Sequence, residues 1–270
     1  MPRSFRIGRL AIFGIQLATL ALMILVWQLL VQFQIVSPLL VASPAQLFPH
    51  LFSVFSLNTP FDVTSSFFLS IGLALEALCI SMPLGLLIGL AIGRSKYVRN
   101  VLEEYVVALS ALPKITLLPI LVLFFGLGLT YRVGFAFLEA TIYVSLVMMY
   151  AVMNVDQSLL KMAKAAGVSK RQEYFKVILP STLPSILGAL RFVFQITLGG
   201  VIIAEEFVNL GNNGIGFMIF TFTELFKLTY LYGVILAVVI YAASGSICLL
   251  ALERYLLRWK SSSSSARRWR

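Results

Sequence analysis

Apolar residues run along this chain in long blocks, and polar residues gather between them. A helix that crosses a bilayer needs about 20 mainly apolar residues. Six segments meet that length: 9–33, 64–93, 104–127, 133–153, 186–206 and 228–256. The pattern predicts an all-α polytopic protein with six transmembrane helices. The first block follows Arg3, Arg6 and Arg9, as the core of a secretory leader would, but its uncharged run is too long for one and reads as a retained helix. Between blocks, 34–62 is broken by Ser and Pro and predicts at most one short surface helix, near Pro44–Phe55. The segment 207–227 contains LGNNGIGF, whose glycines and asparagines favour tight turns.

Within the second block, Ser81, Gly85, Gly89 and Gly93 recur every four residues. Small residues at that spacing let another helix approach closely. Pro83 lies on the same helix, and Pro113 and Pro119 are expected to kink the third.

Composition supports a bilayer. The chain has 270 residues, 60% hydrophobic and 12% charged, against about 25% charged in soluble domains. The net charge of +10 could suggest nucleic acid, but its distribution points elsewhere. Seventeen of the 21 Lys and Arg residues lie in the N-terminal arm, in 94–99, in 161–176 and in the C-terminal end. The alternate loops hold only Arg132 and Lys227. Cytoplasmic loops collect Lys and Arg, so both termini and 161–176 are expected on the cytoplasmic side, and no nucleic-acid partner is expected. The three regions are an arm and first helix over 1–33, a transmembrane body over 34–260 with a cytoplasmic loop at about 155–184, and a disordered polar tail over 261–270. Cys79 and Cys248 fall inside apolar blocks and read as small buried hydrophobes. His50, the single histidine, reads as a surface residue of the outer loop.

The loop has an unusual construction. Asp156 stands where an acid favours a helix N-terminus, and a helix is expected to run to Ala166. Gly167 then supplies a left-handed stop. Ser169 and Gln172 form a capping-box pair for a second helix ending near Pro180. Topology accounts for the basic residues here, but not for the glycine turn and the proline stop.

That spacing resembles the loop signature of ABC-importer permeases: E-A-A, three residues, G, nine residues, I, one residue, L-P. Gly167 stands at the G, Val177 at the I, and Leu179-Pro180 at the L-P. Lys161, Met162 and Ala163 occupy E-A-A, so only the last matches, and the first reverses the charge. SALPKITLLPILVLFFGLG (110–128), GALRFVFQITLGGVIIAEEF (188–207), GIGFMI, ASPAQLFPHL and PLGLLIGLAIGRS are similar to the permeases serving sulfonates, taurine, nitrate and related solutes. The likeness covers about 37–260.

The resemblance implies a type I ABC importer permease fold in a bacterial inner membrane. It implies a homodimer of permeases, an ATP-binding subunit dimer docked on the cytoplasmic loop, and an extracytoplasmic solute-binding protein. Coupling to the ATPase would fall on Lys161, Ala163, Gly167, Val168, Ser169, Leu179 and Pro180. ATP and Mg would sit on the partner, since this chain has no G-x-x-x-x-G-K-[ST] phosphate loop, and no cofactor is expected in the chain itself. The chain would therefore be a transport subunit and not itself an enzyme.

Ionisable residues inside spans are functional candidates by default. Glu76, Lys114, Glu139 and Glu205 are the pathway or gating candidates. Glu76 and Glu139 either line a pathway or face a polar gap between helices. Lys114 meets either a substrate or a carboxylate such as Glu76. The family pattern favours an acid at Glu205, with a structural or gating role linking the fifth helix to the outer loop. Arg191 reads as an anchor.

Two other function classes are weaker. A membrane-embedded enzyme needs a nucleophile–base pair or a metal cluster, and the lone histidine and the spacing supply neither. A stand-alone secondary transporter would have no use for a stiff exposed loop. The expected solute is a small sulfonate-, taurine- or nitrate-like anion. The alternative is a vitamin or precursor, such as a thiamine-precursor pyrimidine or riboflavin, or an aromatic acid.

Overall fold

The computed structural model describes residues 9–37, 41–50, 62–208 and 213–258. The N-terminal arm before Arg9, the whole polar tail and most of LGNN lie outside the described residues, as does the His50 side chain. The described chain is helical: α1 (Arg9–Gln32), α2 (Pro44–His50), α3 (Val63–Arg94), α4 (Lys96–Ala111), α5 (Leu118–Phe125), α6 (Thr130–Met153), α7 (Gln157–Ala165), α8 (Lys170–Glu173), α9 (Leu179–Val208), α10 (Ile215–Glu224) and α11 (Leu228–Leu256). Five helices are long and apolar enough to cross a membrane, or six if the bent pair α4–α5 counts as one span.

Two compact units form, one from Met1–Val63 with Met218–Ala237, the other from Thr64–Phe217 with Val238–Arg270. In the first, Ser43 and Gln46 cap α2 reciprocally, each side chain accepting from the other's amide at 3.3 and 3.4 Å. The Gln28 side chain of α1 accepts from the Ala45 amide at 3.1 Å, and the Trp27 and Tyr232 rings lie 6.3 Å apart.

In the second unit α6 is the most buried span, its inner face carrying Phe135, Ala136, Ala140, Val144 and Met148. It packs on α9 through Val193, Leu198 and Val201. The predicted stripe on α3 meets α6. A Cβ on Gly85 would stand 2.6 Å from the Val144 Cβ, and one on Gly93 2.7 Å from that of Val152. A Cβ on Gly89 would strike the Ser145 carbonyl and stand 2.7 Å from the Met148 Cβ. The two backbones touch only because these side chains are absent. The outward surfaces are apolar, as for Leu87, Leu123, Phe124 and Ile247, all well exposed. Where the solvent is lipid this costs nothing. Cys79 and Cys248 share that surface and are exposed rather than buried, because an apolar side chain in a bilayer need not face protein.

Three proline expectations are corrected. Pro113 does more than kink the third span: α4 and the segment Lys114–Phe125 meet at 94°. The residue before a proline is pushed out of the helical region, and Leu112 is extended at φ −66, ψ 136. Pro119 interrupts nothing, because it lies in the first turn of α5, where a missing N–H is harmless. Pro180 does not end the helix begun at Lys170 either. Tyr174–Ile178 forms a wide turn in which the Leu179 N–H reaches the Tyr174 carbonyl, five residues back. The wider spacing makes room for the proline ring, and one helical path runs over Lys170–Val208. Its 39 residues span about 58 Å, nearly twice the hydrocarbon thickness of about 30 Å, so the path extends well outside the bilayer.

Gly89→Leu should destabilise the α3–α6 contact by about 1–3 kcal/mol or more, read as a lower melting temperature in detergent. Gly72→Ala on the same helix, where an added Cβ meets nothing within 4 Å, should leave it unchanged.

Candidate functional site

The loop over 155–184 is built by local hydrogen bonds. Asp156 caps α7, its Oδ1 accepting from the Ser158 amide at 2.8 Å. At the other end Gly167 has φ +70. Its N–H reaches the Lys164 carbonyl at 3.1 Å, and the Val168 N–H reaches the Ala163 carbonyl at 3.2 Å. These paired bonds satisfy the last carbonyls of α7 and stop it sharply. The next helix starts at once through the predicted box. Ser169 Oγ accepts from the Gln172 amide at 3.3 Å, and Gln172 Oε1 accepts from the Ser169 amide at 3.1 Å.

The base of this unit is fixed to the bundle. Met148, Val152 and Ile178 form a buried cluster, with Leu86, Leu90, Leu160, Tyr174 and Ile186 packed against it. Glu173 pairs with Arg94, at the end of α3, at 3.5 Å. The sequence-predicted residues therefore divide. Lys161, Gly167 and Ser169 are exposed, while Val168, Leu179 and Pro180 are half-buried. Ala163 is buried at 8% exposure and faces a crevice of about 1120 Å³ that Tyr150, Val177 and Pro180 also line. Beside the exposed polar positions, α7 also offers Leu159 and Met162 outward, at 39% and 59% exposure. Sequence reading passed over these two, although their spacing of three residues puts them on one face.

At the other end of α9 lies a second construction, around Glu205, which is 2% exposed. Ser70 on α3 donates to the carboxylate at 2.8 Å, the Gly216 amide at the start of α10 donates at 3.0 Å, and Arg132 on α6 pairs with it at 3.4 Å. The links continue outward. Ser70 Oγ accepts from the Ile215 amide at 2.8 Å, and Arg132 donates to the Asn213 carbonyl at 3.0 Å. Four helices thus meet on one carboxylate. The glycines explain how the backbone comes so close. Gly214 has φ +116, and a Cβ there would collide with the Glu205 carboxyl; one on Gly216 would strike the Ile202 carbonyl and the Glu205 Cβ.

The other intramembrane candidates are not drawn together in this way. Glu76 is exposed on α3, and no Lys or Arg of the described residues lies within ion-pair distance of it. The predicted Lys114–Glu76 meeting does not occur. Lys114 donates to the Ser110 carbonyl at 3.1 Å across the α4–α5 bend. Glu139 sits half-buried on α6 against α9, its Oε2 placed 3.4 Å from where a Cβ of Gly200 would be. Arg191 is tied to Glu253 on α11 at 3.6 Å. Arg132, counted above as a loop cation, is instead buried at 3% exposure. It opens α6 one turn from a glycine-rich turn, and a polar residue that near a helix end reads as loop from sequence alone.

Known proteins share this architecture. Residues 81–262 match the family described as "Binding-protein-dependent transport system inner membrane component". The taurine transport system permease protein TauC of Escherichia coli K12 is 28% identical over 247 residues, 91% of this chain and 89% of its own length. The formylaminopyrimidine transport permease protein ThiX of Halalkalibacterium halodurans is 28% identical over 193 residues, 71% of this chain and 74% of its own. Among solved structures, the inward-facing MetNI methionine ABC transporter superposes with a TM-score of 0.64 at 16% identity, covering 72% of this chain and 95% of that one.

Breaking a buried ion pair by removing one partner costs about 3–5 kcal/mol, more than removing both. Arg132→Met and Glu205→Gln should each lower the melting temperature further than the double variant does. At Asp156 the Ser158 amide holds the carboxyl below its ordinary range. A depressed folded-state pKa contributes stability present above the ordinary aspartate value and lost as pH falls through the folded one. Asp156→Ala should fray α7 at neutral pH and speed tryptic cleavage at Lys161 and Lys164, while Asp156→Asn should retain the cap.

Proposed function

The chain belongs to the family of binding-protein-dependent transport system inner membrane components, and from that premise we propose how it is coupled and what it carries. An ATP-binding subunit, carrying ATP and Mg, docks on the loop over 155–184 from the cytoplasmic side. Two permease copies enclose one pathway, and an extracytoplasmic solute-binding protein delivers the solute. Both termini face the cytoplasm, by the distribution of Lys and Arg.

The observation that carries this reading is the closure of α7–Gly167–α8 by local hydrogen bonds. A lever transmits displacement only if it does not bend, and each end of this one is closed by hydrogen bonds. Its base is packed on α3 and α6 through Leu160, Tyr174 and Ile178, so a push on α7 reaches the bundle. Closure of the ATPase dimer would drive the helices from inward-open to outward-open, and hydrolysis would reset them. The exposed side chains of α7, Leu159, Lys161 and Met162, supply the contact surface. Lys161 replaces the usual Glu, so the facing position of the ATPase is acidic or neutral. A basic residue there would count against this docking.

The solute is a small anion of the sulfonate, taurine or nitrate kind, by likeness to the taurine permease. The second reading, a vitamin precursor, draws on the equal identity of the formylaminopyrimidine permease. Glu139, Lys114 and Glu76 remain the pathway candidates. Glu205 acts as a structural latch for the α9–α10 turn.

The test is co-expression with the neighbouring ATPase and binding protein, reconstitution in liposomes, and ATP hydrolysis with a panel of loaded binding proteins. Stimulation by one ligand names the solute. Hydrolysis indifferent to the binding protein, with no ATPase co-purifying, would sink the lever and favour a stand-alone transporter. Gly167→Val forces a β-branched residue into the left-handed region, a cost of about 1–2 kcal/mol, and should lower stimulated hydrolysis by about tenfold without loss of the folded permease.

A further inference from the structure

Beside the lever, on its α3–α4 side, lies a pocket of about 1000 Å³ that the coupling reading does not use. Five basic side chains line it: Arg94 ends α3, Lys96 and Arg99 open α4, Lys164 comes from α7 and Lys170 from α8. The one carboxylate in the lining, Glu173, is already engaged by Arg94 at 3.5 Å. Topology explains why these residues are basic. It does not explain why separate elements turn them toward one space, where like charges repel.

Three features favour a phosphate in that space. The N-terminus of α4, capped by Ser95, belongs to the lining, and a helix N-terminus carries partial positive charge with free amides. Arg99 donates from Nη2 to the Gly93 carbonyl, while its Nε is buried with no hydrogen-bond partner. The wall toward the spans is apolar, with Leu87, Leu90 and Ala91 on the last turns of α3. A cationic ring above an apolar wall at the end of a spanning helix suits an amphiphile better than a free ion. Tyr97 at the rim is 88% exposed, placed like the aromatic anchors of membrane interfaces.

We propose that this pocket binds the phosphate of an anionic membrane lipid, and that the lipid ties the α3–α4 junction to the lever. The inference rests on the cytoplasmic placement of the loop over 155–184. The headgroup phosphate sits among Lys96, Arg99, Lys164 and Lys170, with an acyl chain along Leu87 and Leu90. Anionic lipid would then stiffen the joint through which the ATPase acts.

The complete transporter, purified in detergent, is titrated with phosphatidylglycerol and with phosphatidylcholine, and bound lipid is counted by native mass spectrometry. Phosphatidylglycerol should be retained preferentially. Lys96→Gln with Arg99→Gln should weaken that preference by roughly tenfold or more, while Lys96→Arg with Arg99→Lys, which keeps the charges, should preserve it. Arg258→Gln, a basic residue outside the pocket, should have little effect. An equal loss in Arg258→Gln would mean a diffuse basic belt and overturn the pocket. Displacement of the lipid by excess inorganic phosphate would make it a free-anion site and overturn the lipid assignment. Maleimide labelling of Ser169→Cys, in a Cys79→Ala, Cys248→Ala background in intact cells, separates the two failures. Labelling from outside would sink the proposed orientation itself. A protected Ser169→Cys with no preference between lipids would sink this inference alone.

Discussion

The carboxylate of Glu205 must be satisfied in a place where no bulk water reaches it. Burying an unpaired charge is among the costliest things a protein can do, and in this chain that cost organises one whole end of the second unit. Ser70, Arg132 and the Gly216 amide come from α3, α6 and α10, and each has to be in place for the charge to be compensated. None of those helices can slide or rotate alone. The turn into α10 is drawn in by the same bonds, which is why Gly214 and Gly216 cannot carry side chains.

The opposite end of α9 is held by different means. Around 155–184 the bonds are short-range: a cap, a glycine stop and a capping box. Such contacts fix the shape of a small unit whatever surrounds it. The apolar cluster of Met148, Val152 and Ile178 then fastens that shape to the bundle. One helical path over Lys170–Val208 connects the two ends. It carries a wide turn just before Pro180 instead of a break. The second helix of the loop, from Lys170, and the Glu205 carboxylate therefore lie near opposite ends of one continuous helix, and α7 joins it only through the Gly167 turn.

Between these ends the helices meet through small residues. Lipid supplies no hydrophobic drive for one helix to leave it for another, so contact has to come from close fit. Gly85, Gly89 and Gly93 give that fit against α6, and Gly200 gives it against Ala136, whose Cα would lie 3.1 Å from a Cβ on Gly200. Glu139 lies beside that second close approach, its Oε2 3.4 Å from where a Cβ of Gly200 would stand.

Much of this was legible before any coordinates. Runs of about 20 apolar residues marked the candidate spans, because a helix of that length crosses the hydrocarbon while satisfying its own backbone hydrogen bonds. The Ser81–Gly93 stripe announced a helix contact by its period. The loop announced its caps, since Asp156, Gly167, Ser169 and Gln172 act on neighbours within a few residues. The spacing from Gly167 to Pro180 carried the family likeness, which the match over 81–262 established. Tertiary structure alone decided whatever depended on partners distant in the chain. Ser70, Arg132 and Glu205 are separated by more than 60 residues at each step, and no local pattern marks a serine or an arginine as a carboxylate's partner. Whether a proline bends, breaks or merely begins a helix was likewise undecided locally. Pro113, Pro119 and Pro180 do three different things, because each outcome depends on what the flanking turns can bond to.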